Sequence, residues 1–453
     1  MTPAAGTGRA TPGRSDEQWY AADGQVVAGV EKLRFFPQVT AAGRGSILTT
    51  PEGRELLDLS ASWTATGLGH AHPAVVQAVT DAVSTQATGS ILSGSHPEAV
   101  LLAEELLGLV ATTGTERRVY LGHAGTDAND VALRAVRHAT GRPGILAFER
   151  GYHGGLGGSM AVSGLHVAAG AVPDPHLRLV PYPDPYRPWT GDPATLLEQT
   201  LARVEEHLAG GDVAAVFVEP IQSDGGVIVP PDGFLAGLRE ATARHGALLV
   251  IDEVKVGLGR TGHFLAHHAE GVLPDLVTLG KVLGSGLPLS AVVGPAAALD
   301  EPSASALMTT IGNPVSCAAG RAVLRLLRDG SLAKAAQVRG AQLRAGLEAY
   351  AASDRPGAAH VGDVRGRGLA LGVELVDPGT REPATGLTAR AVYALWRLGG
   401  IAYPVRDNVI EITPALTISE AEVDHAVELL SGAIDAAVSG EVSEEDVAPF
   451  SGW

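Results

Sequence analysis

Ala247-Leu-Leu-Val-Ile-Asp-Glu-Val254, followed by Leu279-Gly-Lys281, decides how the chain is read. An apolar strand that ends in a carboxylate delivers that charge to the open carboxyl edge of a sheet, where α/β enzymes bind their ligands. Outward from it, short apolar runs recur at Arg118–Gly122, Gly144–Phe148, Ala214–Val218, Leu276–Leu279 and Ser290–Val293. Helical spacing separates them, as in Val100–Val110 and Asp127–Thr140. Strands alternating with helices predict an α/β fold with a mostly parallel central sheet. Ser46–Leu59 reads as a hairpin around Pro51-Glu52-Gly53, and helices are expected over Ala318–Leu327 and Leu332–Ala352. Strands at Ala370–Leu375 and Val409–Thr413 belong to a smaller α+β unit. The expected organisation is a disordered tail over 1–16 and an N-terminal segment over 17–75 that joins the small domain. A large domain over 76–316, a small domain over 317–440 and an acidic tail over 441–453 complete it.

Asp252 and Lys281 lie 29 residues apart and suit the two ends of one cofactor. Pyridoxal 5′-phosphate (PLP) needs an anion at its pyridinium nitrogen, because the protonated ring is the electron sink. It also needs an amine that stays partly deprotonated, and a lysine in the Gly-bounded apolar run Thr278–Pro288 can have its pKa lowered by burial. Lys281 is therefore expected to hold PLP as a Schiff base. Gly125 and Thr126, between a strand and a helix, offer free amides and a hydroxyl to the phosphate. Tyr152, after the next strand, can stack on the ring.

Composition excludes several classes. A net charge of −17 argues against a sequence-independent grip on nucleic acid and, modestly, favours cationic small molecules. The single cysteine, Cys317, leaves no disulfide framework or cysteine zinc site. No signal-like leader and no run of roughly 20 apolar residues is present, so the expectation is a cytoplasmic protein without membrane contact. Gly257-Leu-Gly-Arg-Thr-Gly262 matches a dinucleotide fingerprint, but an acidic pair precedes it and only a weak helix follows, which disfavours NAD. His70-x-His72 and His267-His268 lack further ligands nearby, so no metal is expected.

Together these motifs resemble the class III (omega-type) aminotransferases, of PLP fold type I. The likeness extends over nearly the whole chain, through Asp58–Pro73, Val218-Glu-Pro-Ile-Gln222, Asp252-Glu-Val, Pro274–Lys281, Thr309–Pro314 and Gly366–Glu374. It implies that Lys281 and Asp252 are catalytic, that Val254 packs beneath the ring and Tyr152 above it, and that Gly125 and Thr126 bind phosphate. It further implies that Thr309 reaches in from a second subunit of a homodimer, and that Trp63 lines the substrate pocket. The substrates would be a small-molecule amine and a carbonyl compound.

Departures from the family pattern bear on the substrate. Where the family carries an arginine that clamps an α-carboxylate, Ile410-Glu411-Ile-Thr-Pro414 has Glu411, which cannot make that pairing. The acid that usually gates this arginine is matched by Asp224, and the usual glutamine is Lys255, which could reach the cofactor's phenolic oxygen or Glu219. Two readings stay open. In one, the register slips, Arg406 binds the acid and Glu411 is solvated. In the other, paired acids select a polycationic substrate such as an aminosugar, aminocyclitol or polyamine; the DEVKVG variant resembles class III enzymes of aminoglycoside pathways. The same cofactor could also support elimination, epimerisation or decarboxylation.

Overall fold

The computed structural model describes residues 13–85 and 88–450. Most of the stretch read as a disordered tail (1–12) and the last part of the acidic end (451–453) lie outside these residues. Ser15 and Asp16, read as the end of that tail, instead open a helix over Asp16–Val26, where Ser15 and Gln18 cap each other reciprocally. The acidic end is likewise packed: a short helix over Glu444–Val447 leads to Phe450, whose ring lies 6.4 Å from Tyr20 and 5.8 Å from Tyr393.

Three sheets organise the chain. The first contains β1 (Ala42–Arg44), β2 (Ile47–Thr49) and β3 (Glu55–Asp58). The large sheet is built from β4 (Arg117–Gly122), β5 (Gly144–Phe148), β6 (Leu177–Val180), β7 (Val213–Val218), β8 (Leu248–Asp252), β9 (Leu276–Leu279) and β10 (Ser290–Pro295). Its order is β4-β10-β9-β8-β7-β5-β6, and β10 runs antiparallel to both neighbours. The third comprises β11 (Val361–Arg367), β12 (Ala370–Leu375), β14 (Tyr403–Val405) and β15 (Val409–Ile412), all antiparallel. The two-residue β13 (Gly400–Ile401) instead pairs in parallel with β3, so an early and a late segment share one sheet.

Strands β5, β7 and β9 are buried along their whole length and β8 from Leu249 onward, as the continuous apolar runs require of a parallel sheet covered on both faces. Helix Gly125–Thr140 packs its Ala128, Ala132 and Val136 on one face, while Phe234–His245 and Pro193–Leu208 cover the other. Parallel direction brings the carboxyl ends of β5, β7, β8 and β9 to one edge. The chemistry-bearing residues follow those ends. Among the described residues no helix is long and apolar enough to cross a membrane.

Candidate active site

A cavity of about 450 Å³ opens at this edge. Strand β8 brings Asp252 into it, only 4% exposed. Oδ1 accepts from the Val254 amide at 3.0 Å and from Thr278 Oγ1 at 3.2 Å. Oδ2 accepts from Asn129 Nδ2 at 2.8 Å and lies 2.9 Å from His153 Nδ1. Burial opposes charge on His153, but the hydrogen bond and charge of Asp252 hold its pKa above the ordinary value. The carboxylate is thus fixed in position by four groups before any ligand arrives.

Lys281 follows β9 and lines the same cavity. Its φ of 47° places a non-glycine residue in the left-handed region, a conformation that persists where surrounding structure imposes it. Burial, and then the charge of Lys255, lowers its pKa to about 8. About a tenth of its amine is therefore uncharged at pH 7, far more than for an ordinary lysine, as a nucleophilic or proton-carrying lysine requires.

At the far end, helix Gly125–Thr140 begins. Asp127 caps it by accepting from the His123 amide at 2.8 Å and the Ala124 amide at 3.2 Å. The amides of Gly125 and Thr126, the first helical residues, have no intrahelical acceptor and face the cavity with the positive end of the helix dipole. The cradle is tight: a Cβ on Gly125 would lie 2.6 Å from Val254 Cγ1, and one on Gly154 would lie 2.8 Å from Thr126 Cα. Tyr152 and Glu219 line the wall, where the Tyr152 amide donates to Glu219 Oε1 at 3.0 Å. Burial pushes the Tyr152 phenol up to about 12 and the Glu219 carboxyl up to about 7.

The site therefore offers an anion-binding end, a fixed carboxylate at mid-cavity, an amine of lowered pKa and an aromatic wall. These are the groups that PLP needs, and the residues present fit it. The class III aminotransferase family pattern matches residues 29–434.

The chain belongs to the class III aminotransferases.

This aminotransferase is 40% identical to the acetylornithine aminotransferase of Mycobacterium tuberculosis, over 89% of this chain and 93% of that protein. It is 34% identical to the leucine/methionine racemase of Thermococcus litoralis, over 95% and 98% of the two chains. Among solved structures, the PLP-bound amine transaminase of an uncultivated Pseudomonas species superimposes with a TM-score of 0.79 at 31% identity, over 91% and 96% of the chains. The aminotransferase is PLP-dependent and has the fold of PLP transaminases.

The substrate end differs from the expectation. Among the described residues Lys255 pairs not with Glu219 but with two other acids; its Nζ donates to Asp224 Oδ1 at 2.7 Å and lies 3.0 Å from Glu411 Oε1. Burial opposes its charge, but the two acids hold its pKa above the ordinary value. Asp224 and Lys255 line the cavity, whereas Glu411, only 3% exposed, stands behind them on β15. The solvated Glu411 of the register-slip reading is thereby overturned. So is its spare arginine, since Arg406 Nη1 lies 2.5 Å from Asp184 Oδ2.

Trp63 is half-buried beside the cavity-lining Lys255, its ring 5.3 Å from Lys255 Nζ and stacked on Tyr403 at 4.5 Å. It stands on a turn in which Ala61, Ser62, Trp63 and Thr64 all have positive φ, between 47° and 67°. Such a turn costs about 1–2 kcal/mol per residue. The Trp63 amide donating to Ser60 Oγ and the Thr413 amide donating to Leu59 O hold it in place. Thr309 is exposed and lies outside the cavity of its own chain.

Sequence reasoning passed over Asn129 and His153. Asn129 stands one helical turn after Gly125, on the same face, and His153 adjoins Tyr152; both spacings were available as signals. In the dinucleotide-like loop Arg260 is wholly buried, and its guanidinium donates to the carbonyls of Pro414 and Leu369. In the two histidine pairs, His70 lies 2.8 Å from buried Asp58 and His267 lies 2.7 Å from buried Glu253.

Proposed function

We propose that this aminotransferase moves an amino group between an amine donor and an aldehyde or keto acceptor, and that its amine substrate carries ammonium or hydroxyl groups in place of an α-carboxylate. Aminosugars, aminocyclitols and polyamines, including those of aminoglycoside pathways, are the candidate classes. The observation that carries this reading is that, among the described residues, no arginine lines the cavity where a guanidinium could clamp a carboxylate. Asp224, Glu411 and Lys255 together sum to −1, which disfavours an anionic substrate.

PLP supplies the electron sink that acidifies the substrate's α-carbon. Lys281 would anchor it and carry the proton at Nζ. Asp252, held by Asn129, Thr278 and His153, would pair with the ring nitrogen and keep it protonated. Val254 and Tyr152 would enclose the ring, Gly125 and Thr126 would receive the phosphate, and Glu219 holds the Tyr152 backbone. Thr309, exposed on its loop, completes the phosphate end of a partner subunit in a homodimer.

A second reading returns the proton to the opposite face and epimerises the substrate; the likeness to a racemase favours it. The test is the visible spectrum of the PLP-loaded protein titrated with glutamate, alanine, aminosugars and diamines. Bleaching to the pyridoxamine form by aminosugars or diamines but not by glutamate supports the proposal. Bleaching by glutamate alone overturns it. Loss of stereochemical purity without bleaching selects the second reading.

A further inference from the structure

Two side chains on the cavity wall are each only half used. Lys255 has three N–H donors, of which the carboxylates of Asp224 and Glu411 take two. Asp224 accepts from Lys255 through Oδ1, while its Oδ2 accepts no hydrogen bond among the described residues. Both side chains are 6% exposed, and both line the cavity. A donor that no hydrogen bond takes, with the Trp63 ring 5.3 Å from its nitrogen, thus stands beside an acceptor that none fills, held in an ionic trio whose third member, Glu411, is anchored in β15 behind them.

The pattern discriminates between ligand groups. A carboxylate could accept from Lys255 but would face Asp224 and Glu411. An ammonium could donate to Asp224 and offset the net −1 of the trio, but it cannot accept from Lys255 and meets that like charge at the wall. A hydroxyl accepts from Lys255 and donates to Asp224 at once, and adds no charge to a buried trio. Resting on the reading above, and narrowing it, we propose that Lys255 and Asp224 form a subsite for a hydroxyl group of the substrate, carried one or two carbons from the reacting amine. Lys255 thereby occupies the paired acids that would otherwise attract a second ammonium, and the substrate class becomes an amino alcohol of aminosugar or aminocyclitol type rather than a polyamine.

Ligands on one ring skeleton test this: cyclohexylamine, 2-aminocyclohexanol, 3-aminocyclohexanol, 1,2-diaminocyclohexane and 2-aminocyclohexane-1-carboxylate. Dissociation constants are measured by calorimetry on the PLP-loaded protein, with half-reaction rates followed in the visible spectrum. One aminocyclohexanol should bind at least about tenfold more tightly than cyclohexylamine, as hydrogen bonds to charged groups permit. Asp224→Asn and Lys255→Gln should each remove most of that preference, and Lys255→Met should instead raise affinity for the diamine by exposing the two acids. Equal binding of cyclohexylamine and both aminocyclohexanols by the wild type overturns the subsite, and needs no variant to fold. A preference that survives in both Asp224→Asn and Lys255→Gln overturns it as well. Tightest binding of the diamine by the wild type overturns the hydroxyl subsite and leaves the broader proposal standing; tightest binding of the carboxylate overturns both.

Discussion

Lys255 Nζ lies 3.0 Å from Glu411 Oε1, so the sheet edge of the large domain and strand β15 are joined by a buried ion pair at the cavity wall. A buried pair is weak evidence for net stability, but removing one member leaves the others uncompensated. Lys255→Met strands two buried carboxylates and should destabilise the protein by about 3–5 kcal/mol. The triple change Asp224→Asn, Lys255→Met, Glu411→Gln should recover most of that loss. Urea unfolding at one fixed protein concentration compares the two.

The same lysine acts on its neighbour. Burial is the main cause of the lowered Lys281 pKa, and the Lys255 charge is the next. Removing that charge while Asp224 remains raises the Lys281 pKa from about 8, by about one unit or more. The uncharged amine captures PLP, so the acid limb of PLP uptake by cofactor-free protein should move to higher pH in Lys255→Gln. An unchanged limb would show that burial alone sets the value.

Glu219 gives a stability signature. Its carboxyl titrates at about 7 in the folded chain because of burial, against about 4.5 when unfolded. Between these values the folded state binds the extra proton, so stability falls as pH rises from about 4.5 to about 7. Glu219→Gln abolishes that contribution. Relative to the wild type, the variant should gain up to about 3 kcal/mol across this window, read as a growing difference in denaturation midpoint.

Asp252→Asn retains the size of the side chain and removes its charge. The proposed partner of the ring nitrogen is lost, and kcat should fall roughly 10²–10³-fold, a scale set by losses of comparable electrostatic groups. The Thr278 and Val254 donors still find an oxygen. Circular dichroism should therefore stay native while single-turnover rates collapse.

Glu411→Arg restores the cation expected from the family pattern, next to Asp224 and Lys255. Position 411 stands behind Asp224 and Lys255, so the change acts through charge: the trio sums to +1 in place of −1, and glutamate should improve as an amino donor by about tenfold in kcat/KM. No improvement would mean that the charge of this trio does not set donor choice.

Much of the cofactor end was legible from local signals. Asp252 and Lys281 end apolar strands, and Gly125 opens a helix, so their positions follow from strand direction and the helix start alone. The substrate end was not, because Asp224, Lys255 and Glu411 come from three distant segments. Chain order identifies each of them but says nothing about mutual distance. The paired acids were legible as charges, and the fact that Lys255 already occupies them was not. Trp63 was placed in the pocket by motif, yet its turn reverses the usual backbone hand through contacts to Ser60 and Thr413 that no short window contains. The N-terminal cap at Ser15 lay in plain view as Ser-x-x-Gln, hidden only by the polar composition around it.

The β3–β13 pairing also constrains how the protein comes into being. Thr413 Oγ1 donates to Ser60 O across 353 positions of chain. During synthesis the turn bearing Trp63 is therefore made early and has only local hydrogen bonds, such as Trp63 amide to Ser60 Oγ, to hold it until almost the whole polypeptide has emerged. The seven-stranded sheet can assemble first from neighbouring segments, and with it the cofactor end. The substrate wall closes last, as a long-range contact whose loop entropy must be overcome before any packing rewards it. Capture of PLP can thus precede completion of specificity.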